Sequence, residues 1–362
     1  MNYISFWRRL AKLRVFSIMN PWTDLLSAGR ARWQDSRLLD FGEPAAERRA
    51  LATACALMPL PSLATWQIQG ADAASFLQGQ TTNDVAALAP EQWQTSGYCN
   101  PKGRLLATLL LARNAPEAFL AILPASLSET VFARLTRYVL RAKVKLAPAP
   151  LASLGLAGPL AAATLAGANL PCPQPGRLHA AGSAWVLGLA PTRFLVLVPQ
   201  ETLAALWCTL SANAQPSGEA LWDALDIAAG LATVLPQTHE SFVPQMLNLD
   251  LVGGLSYHKG CYPGQEIVAR MHYLGRLKER LYRASVAVPP PAAGERLYSP
   301  AFAEQPCGTV VLASAGEGGQ AEFLAVLQVA AAQSGDVRLG TPLGPRLEFL
   351  PLPYPVPAAS ST

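Results

Sequence analysis

Charge is scarce in this chain: Asp, Glu, Lys and Arg make up 14% of 362 residues, against 51% apolar side chains. That balance excludes intrinsic disorder, whose mark is high charge with few apolar residues. Long hydrophobic runs are missing too. The most apolar stretches, LLATLLLA (105–112) and FLVLVP (194–199), fall far short of the ~20 residues a membrane-spanning helix needs. Both are predicted as buried strands, and no membrane partner is expected. Histidine is rare, with four copies, and the six cysteines (55, 99, 172, 208, 261 and 307) include no C-x-x-C pair. A closed zinc site or a resident cluster cage is thereby disfavoured, and no metal ligand set is assigned.

A global excess of positive charge is also absent. The whole net charge of +4 is matched by Arg8, Arg9, Lys12 and Arg14 within residues 1–18, which contain no acid. Charge alone therefore gives no argument for nucleic-acid binding. The segment lacks the apolar core and small-residue cleavage site of a secretory signal. Of its remaining readings, an organelle transit peptide or an upstream extension, the extension is expected, with Met19 starting the globular part. A reducing, cytoplasmic setting with free thiols follows as an expectation. Cys208, inside the helical ETLAALWCTL, is expected to be a small core residue.

Along the chain, residues 21–58 are predicted as helix and loop ending in a helix AAERRALATACALMP. From 62 onward the pattern becomes strand, helix and strand: ATWQIQG, then a helix capped by Asp72 with Ala74, Phe76 and Leu77 on one face. QTSGYC and RLLATLLLAR form two strands around a turn at NPKG (100–103). AFLAIL, a helix over 126–140 and a basic strand start complete a β-α-β-β-α-β rhythm, the split βαβ of a ferredoxin-like layer. AWVLGLAPTRFLVLVP is predicted as a hairpin, QETLAALWCTLSA and GEALWDALDIAAGLA as helices. Short β-like runs after 283 point to a compact C-terminal β-domain.

The stretch with the most unusual chemistry is HKGCYPGQEIVAR (258–270). Pro263 is suited to the first position of a helix, and Glu266 to its first turn. Glu266 and Arg270 stand four apart, the favourable order for a helix ion pair. Cys261 would then sit just before a helix N-terminus, two residues from Lys259 and three from His258, a setting that favours thiolate. Gly260 and Gly264 permit positive φ and close approach of a ligand. The plainer alternative is a cysteine buried in a tight turn; the basic neighbours and helix start favour a functional thiol. A cysteine hydrolase would need a histidine partner, for which His239, His258 and His272 are available. Residues 252–283 also interleave Lys259, Arg270, Arg276, Lys278, Arg280 and Arg283 with tyrosines, a pattern that suits RNA phosphates as well as a solvated surface. Lys102 and Arg104 in NPKGR can present cations to a carboxylate or phosphate. Asn83, Gln245 and Asn248 are candidate polar contacts.

FLQGQTTNDV, CNPKGR, FVPQMLNLDLVGGLSYHKGCYPGQEIVAR and FLPLPYP together resemble the YgfZ family of folate-binding proteins, related to the aminomethyltransferase T-protein of glycine cleavage. The resemblance covers residues 60 to 355, and KGCYPGQE followed by Arg270 is its most specific part. Lys259, Gly260, Cys261, Tyr262, Gly264, Gln265, Glu266 and Arg270 match motif positions. What the resemblance implies is an α+β, three-domain cloverleaf-like aminomethyltransferase-type fold with a ferredoxin-like layer and a C-terminal β-barrel-like domain. The implied boundaries are an extension over 1–18, a central folate-binding domain over 19–60 plus 150–275, a ferredoxin-like domain over 61–149, and a β-domain over 276–362.

It further implies a tetrahydrofolate-binding accessory protein that supports assembly or repair of iron–sulfur enzymes, such as tRNA methylthiotransferases, and through them tRNA modification. Lys102 and Arg104 would contact the folate, with Asn83, Gln245 and Asn248 as further contacts. Cys261 would act as a redox-responsive thiol, a transient cluster ligand or a nucleophile toward a one-carbon adduct. In the T-protein relatives a glutamate two residues before the glycine of LDIAAG reads the pterin; here that position is Ala228, and Asp226 replaces a common arginine. Aminomethyl transfer is therefore disfavoured, and an accessory role is preferred over an enzyme. Two alternatives stand beside it: a folate-dependent one-carbon transferase or cysteine hydrolase, and a direct tRNA-binding module built on 270–283, notably Arg276 and Arg280.

Overall fold

A computed structural model describes residues 21–26, 30–34, 37–273 and 277–357; the extension expected over 1–18 lies outside them. The described chain opens with α1 (Pro21–Leu26), β1 (Arg32–Gln34), β2 (Arg37–Asp40) and α2 (Pro44–Thr53). The helix expected to continue through ACALMP stops at Thr53, and Ala56–Pro59 forms strand β3, buried at every position. Ala, Leu and Met are good helix formers, but here pairing with a neighbouring strand overrides propensity.

β4 (Leu63–Gln69), α3 (Ala73–Gln78), β5 (Gln92–Cys99), β6 (Leu105–Ala115), β7 (Ala118–Pro124), α4 (Ala125–Thr136) and β8 (Lys145–Pro148) make a five-stranded antiparallel sheet in the order β5-β6-β7-β4-β8. This is the expected ferredoxin-like layer, with one strand more than the β-α-β-β-α-β rhythm counts, because AFLAILP pairs on its own. Helix α3 buries Ala73, Phe76 and Leu77. Its Asp72 makes no cap; the carboxylate accepts from the Lys143 N–H at 2.6 Å. Helix α4 buries Leu127, Val131, Phe132 and Leu135 at helical spacing and ends once that stripe ends, four residues earlier than expected. Trp66 of β4 stacks on Phe132 at 4.1 Å.

β9 (Leu151–Ala157), α5 (Ala161–Gly167), β10 (Leu178–Ala181), β11 (Ala184–Ala190), β12 (Arg193–Pro199), α6 (Leu203–Ser211), β13 (Gln215–Pro216) and α7 (Glu219–Ala229) follow. The strands join β3 in a six-stranded sheet ordered β10-β11-β12-β9-β3-β13. Every residue of β12 is buried, the mark of a strand covered on both faces. On α6 the buried stripe is Leu203, Trp207 and Leu210, and Cys208 is exposed. It follows Trp207 by one residue, about 100° around the helix, so the expected core role is corrected.

α8 (Gln265–Tyr273) precedes β14 (Glu279–Val286), β15 (Arg296–Tyr298), β16 (Pro306–Ala315), β17 (Ala321–Gln328), α9 (Val329–Ser334), β18 (Arg338–Leu339) and β19 (Glu348–Leu350). These strands form a curled six-stranded sheet, β18-β15-β16-β17-β14-β19, around its own core of Val310, Phe323, Leu327 and Val337. Among the described residues no helix is long and apolar enough to cross a membrane.

The sheets are welded by shared cores. Leu120 and Ile122 of β7 pack in one cluster with Leu195 and Leu197 of β12 and Trp222 of α7. A larger cluster joins the five-stranded sheet, the 242–255 loop, Tyr262 and Val268, and Leu281 and Leu324 of the C-terminal sheet. At this second seam Arg280 is 9% exposed. It forms a bidentate pair with Asp250 at 2.7 and 3.0 Å and donates to the Gln245 carbonyl at 3.0 Å. Replacing Arg280 by Met strands a buried carboxylate and is expected to cost about 3–5 kcal/mol, measured as a urea midpoint shift. The double replacement with Asp250→Leu is expected to recover most of that loss.

Candidate functional site

The motif 258–270 begins with its lysine. Lys259 is 8% exposed, and its ammonium donates to the carbonyls of Gln78 at 2.6 Å, Thr81 at 2.5 Å and Asn83 at 2.9 Å. Gln78 ends α3, so the cation meets the carbonyl end of a helix and matches three acceptors with three donors. It also lies 5.1 Å from the Tyr262 ring centre. The sequence reading placed this ammonium beside the thiol; the structure commits it to the carbonyl cage. Burial pulls its pKa down to about 8, opposed by the charge of Asp84.

After Lys259 the backbone exposes Gly260 and Cys261 and turns at Tyr262–Gln265, where the Gln265 N–H reaches the Tyr262 carbonyl at 3.1 Å. Pro263 in second place and Gly264 at φ +81 in third are the residues a type II turn requires. Pro263 is therefore not the first helical residue, and the turn separates Cys261 from α8. Gly264 must be glycine for a second reason: a Cβ there would lie 2.5 Å from Asn100 O and from Gly103. The motif thus clamps onto the NPKG hairpin turn while its lysine clamps onto the end of α3. Glu266 and Arg270 are exposed, and no ion pair links them.

Cys261 is exposed, whereas Cys55, Cys99 and Cys307 are buried, and burial pushes those three thiols up. Among the described residues no histidine hydrogen-bonds Cys261. His258 is exposed, and the His272 ring stacks on Tyr257 at 3.8 Å. The triad a cysteine hydrolase needs is not assembled.

The NPKG turn also borders a cleft of about 820 Å³ lined by Lys102, Arg104, Arg134, Arg296, Glu240 and Glu279, among others. The Asn100 side chain sets this turn by accepting from the N–H groups of Lys102 at 2.8 Å and Arg104 at 3.0 Å, and donates to Glu240 at 3.0 Å. Four cations against two carboxylates give the cleft an anion-binding character. Arg134 lines the cleft, and its buried Nε has no hydrogen-bond partner.

Of the five expected folate contacts, Lys102 and Arg104 line this cleft. The other three are placed elsewhere. Asn83 donates to the carbonyls of Thr95 at 2.9 Å and Gly253 at 2.6 Å. Asn248 is fully buried and donates to Leu281 O at 3.1 Å. Gln245 donates to Val268 O at 2.7 Å and keeps an unpartnered Oε1. Arg134 and Arg296 were not singled out in the sequence, where nothing marks them from other surface arginines. Asp226 is engaged by Arg193 at 2.8 Å, with the guanidinium 3.8 Å over the Trp222 ring. Within the expected basic stretch over 270–283, Arg280 is paired with Asp250 and Arg283 with Glu322 at 2.6 Å, Arg270 and Lys278 are exposed, and Arg276 lies outside the described residues.

Comparison with known proteins gives a consistent picture. The family model for the GCVT N-terminal domain matches residues 29–170. The tRNA-modifying protein YgfZ of Cronobacter sakazakii is 37% identical over 246 residues, which are 66% of this chain and 74% of that protein. Its counterpart from Edwardsiella ictaluri is 32% identical over 308 residues, covering 82% of this chain and 92% of that protein. Among solved structures, aminomethyltransferase T of the glycine cleavage system from Bartonella henselae superposes with a TM-score of 0.77 at 18% identity. That alignment covers 91% of this chain and 95% of that one, and it shows a shared fold.

Lys259 yields a pH signature. Burial holds the pKa of the folded ammonium at about 8, below its ordinary 10.5. Between those values the unfolded chain binds more protons, so this residue's contribution to stability rises with pH. Lys259→Met is expected to lose about 3 kcal/mol at pH 7, through three orphaned carbonyls. It is also expected to lack the rise between pH 8 and 10.5, read from urea midpoints of both proteins across that range.

Proposed function

The chain belongs to the YgfZ family of tRNA-modifying proteins, and from that membership we propose a folate-binding accessory factor that supports iron–sulfur enzymes acting in tRNA modification. The observation that carries the ligand half is the cleft, where Lys102, Arg104, Arg134 and Arg296 outnumber Glu240 and Glu279. This donor set fits the carboxylates of a folate's glutamate tail, which guanidinium and ammonium groups bind through charge-assisted hydrogen bonds. Lys102 and Arg104 would hold the tail, their turn fixed beforehand by Asn100. Bound folate would supply a one-carbon carrier or a reductant.

The pterin end is read differently from the aminomethyltransferase relatives. Position 228 is alanine, and Asp226 is neutralised by Arg193, so no free carboxylate stands there for a pterin ring. This supports an accessory role over aminomethyl transfer.

Cys261 is the reactive group of the proposal. Its thiol is exposed on a loop held at both ends, by the Lys259 cage and the Gly264 contact. Among the described residues, no three His, Cys, Asp or Glu side chains come together as a metal site. Cys261 would meet a cluster as one ligand offered to a client's site, since resident clusters are held by about four.

Thermal or calorimetric titration with tetrahydrofolate tests the ligand claim. Stabilisation of about 2.7 kcal/mol is expected at a hundredfold excess over Kd. Lys102→Ala with Arg104→Ala is expected to weaken binding by about tenfold or more, while binding of a pterin lacking the glutamate tail stays unchanged. Absence of any shift with wild type overturns the folate reading. Cys261→Ser is expected to keep the shift yet fail to restore tRNA methylthiolation in cells lacking the protein.

A further inference from the structure

The acids of this chain are unevenly spread: none occurs between residues 130 and 200. Within that span Arg134, Arg137, Arg141, Lys143 and Lys145 crowd into twelve positions, from the last turn of α4 through a loop to the start of β8. Arg137, Arg141, Lys143 and Lys145 are exposed, and none of the five joins an ion pair among the described residues. The acids of adjoining elements do not neutralise them. Asp72 is occupied by the backbone N–H of Lys143, Glu117 borders a hollow with Lys145 without pairing, and Glu129 is exposed earlier on α4.

The loop is a fixed platform. Tyr138 N–H bonds to Leu135 O at 2.9 Å and Ala142 N–H to Val139 O at 2.8 Å, and Val139, Val144 and Leu146 pack on the main core. Between the cations this platform displays Tyr138, 44% exposed, and Leu140, 87% exposed. Leu140 has φ +46, a left-handed conformation that few side chains adopt. Arg134 lines the cleft one helical turn before Arg137, so the basic strip begins at the cleft's edge.

We propose that residues 134–145 form an RNA-binding surface, whose cations track phosphates and whose Tyr138 ring stacks on an unpaired base. The chemistry is that of sequence-tolerant RNA binders: unpaired cations along one strip with an exposed aromatic among them. A single protruding leucine is too little apolar area for a membrane surface, which calls for a broad apolar face. The proposal rests on the tRNA-modification reading for the class of partner. It places direct RNA contact on a strip whose cations join no ion pair among the described residues, whereas within 270–283 Arg280 and Arg283 are internally paired.

The test uses the full chain and an unmodified tRNA transcript, with affinity measured by fluorescence anisotropy at 50 and 200 mM salt. Four neutralised phosphates predict a fall of about 100-fold between those concentrations. The triple variant Arg137→Glu/Arg141→Glu/Lys143→Glu is expected to abolish binding at 50 mM salt, and Tyr138→Ala to weaken it several-fold. Lys278→Glu, an exposed cation outside the strip, is expected to bind as wild type. The triple variant should keep its thermal midpoint and its tetrahydrofolate shift. Loss of folate binding alone would bear on the accessory-factor reading and not on this surface. No binding by wild type, equal binding by the triple variant, or binding to phosphatidylglycerol vesicles in preference to the transcript each overturns the proposal.

Discussion

One buried cation holds the architecture of the site. An ammonium enclosed by three main-chain carbonyls has donors in the number and directions those acceptors need, and the carbonyls cannot be titrated away from it. A guanidinium would not fit the same cage, because its planar fork spreads donors sideways. Everything else in the motif follows from this anchor. Once Lys259 is seated, the exposed pair Gly260–Cys261 must bridge to the Tyr262–Gln265 turn. The turn then presses Gly264 against Gly103. The hairpin so supported carries Lys102 and Arg104, which line the cleft.

The same economy governs the rest of the fold. A chain with only 14% charged residues buries several of them, and it buries them where separate segments join. Glu47 accepts the N–H groups of Phe41 at 2.7 Å and Gly218 at 2.9 Å, tying the N-terminal hairpin to α7. Glu219 accepts from the Ser62 N–H at 3.1 Å, Arg193 meets Asp226, and Arg280 meets Asp250. Apolar packing drives the sheets together without choosing an orientation; these directional bonds choose it.

What was legible in the sequence was local. The hairpins over 92–115 and 184–199 announce themselves by apolar runs broken at Asn-Pro-Lys-Gly and Pro-Thr, and α6 and α7 by their helical spacing. The C-terminal sheet was readable from short β-like runs without a helical period. Failures came where a distant partner decides. ACALMP has helical propensity but is claimed by a sheet, and Cys208 lies just outside a stripe whose edge depends on what packs there. Pro263 has the right chemistry for a helix start, yet the neighbouring hairpin needs a turn there. The motif was conspicuous as text, but the direction of Lys259 was not, because its acceptors lie between 176 and 181 positions earlier in the chain. Arg134 and Arg296 are likewise ordinary in sequence and become neighbours only through packing.

The cleft has walls from residues 100–104, 134, 237–242, 279 and 294–309, so it joins the middle of the chain to the first strands of the C-terminal sheet. During synthesis no partial chain ending before the C-terminal sheet could possess it. A ligand that recognises the cleft would therefore distinguish finished molecules from nascent or truncated ones. Occupancy would act as a receipt for folding that has reached the C-terminal sheet, issued only after the strands that wall the cleft have docked.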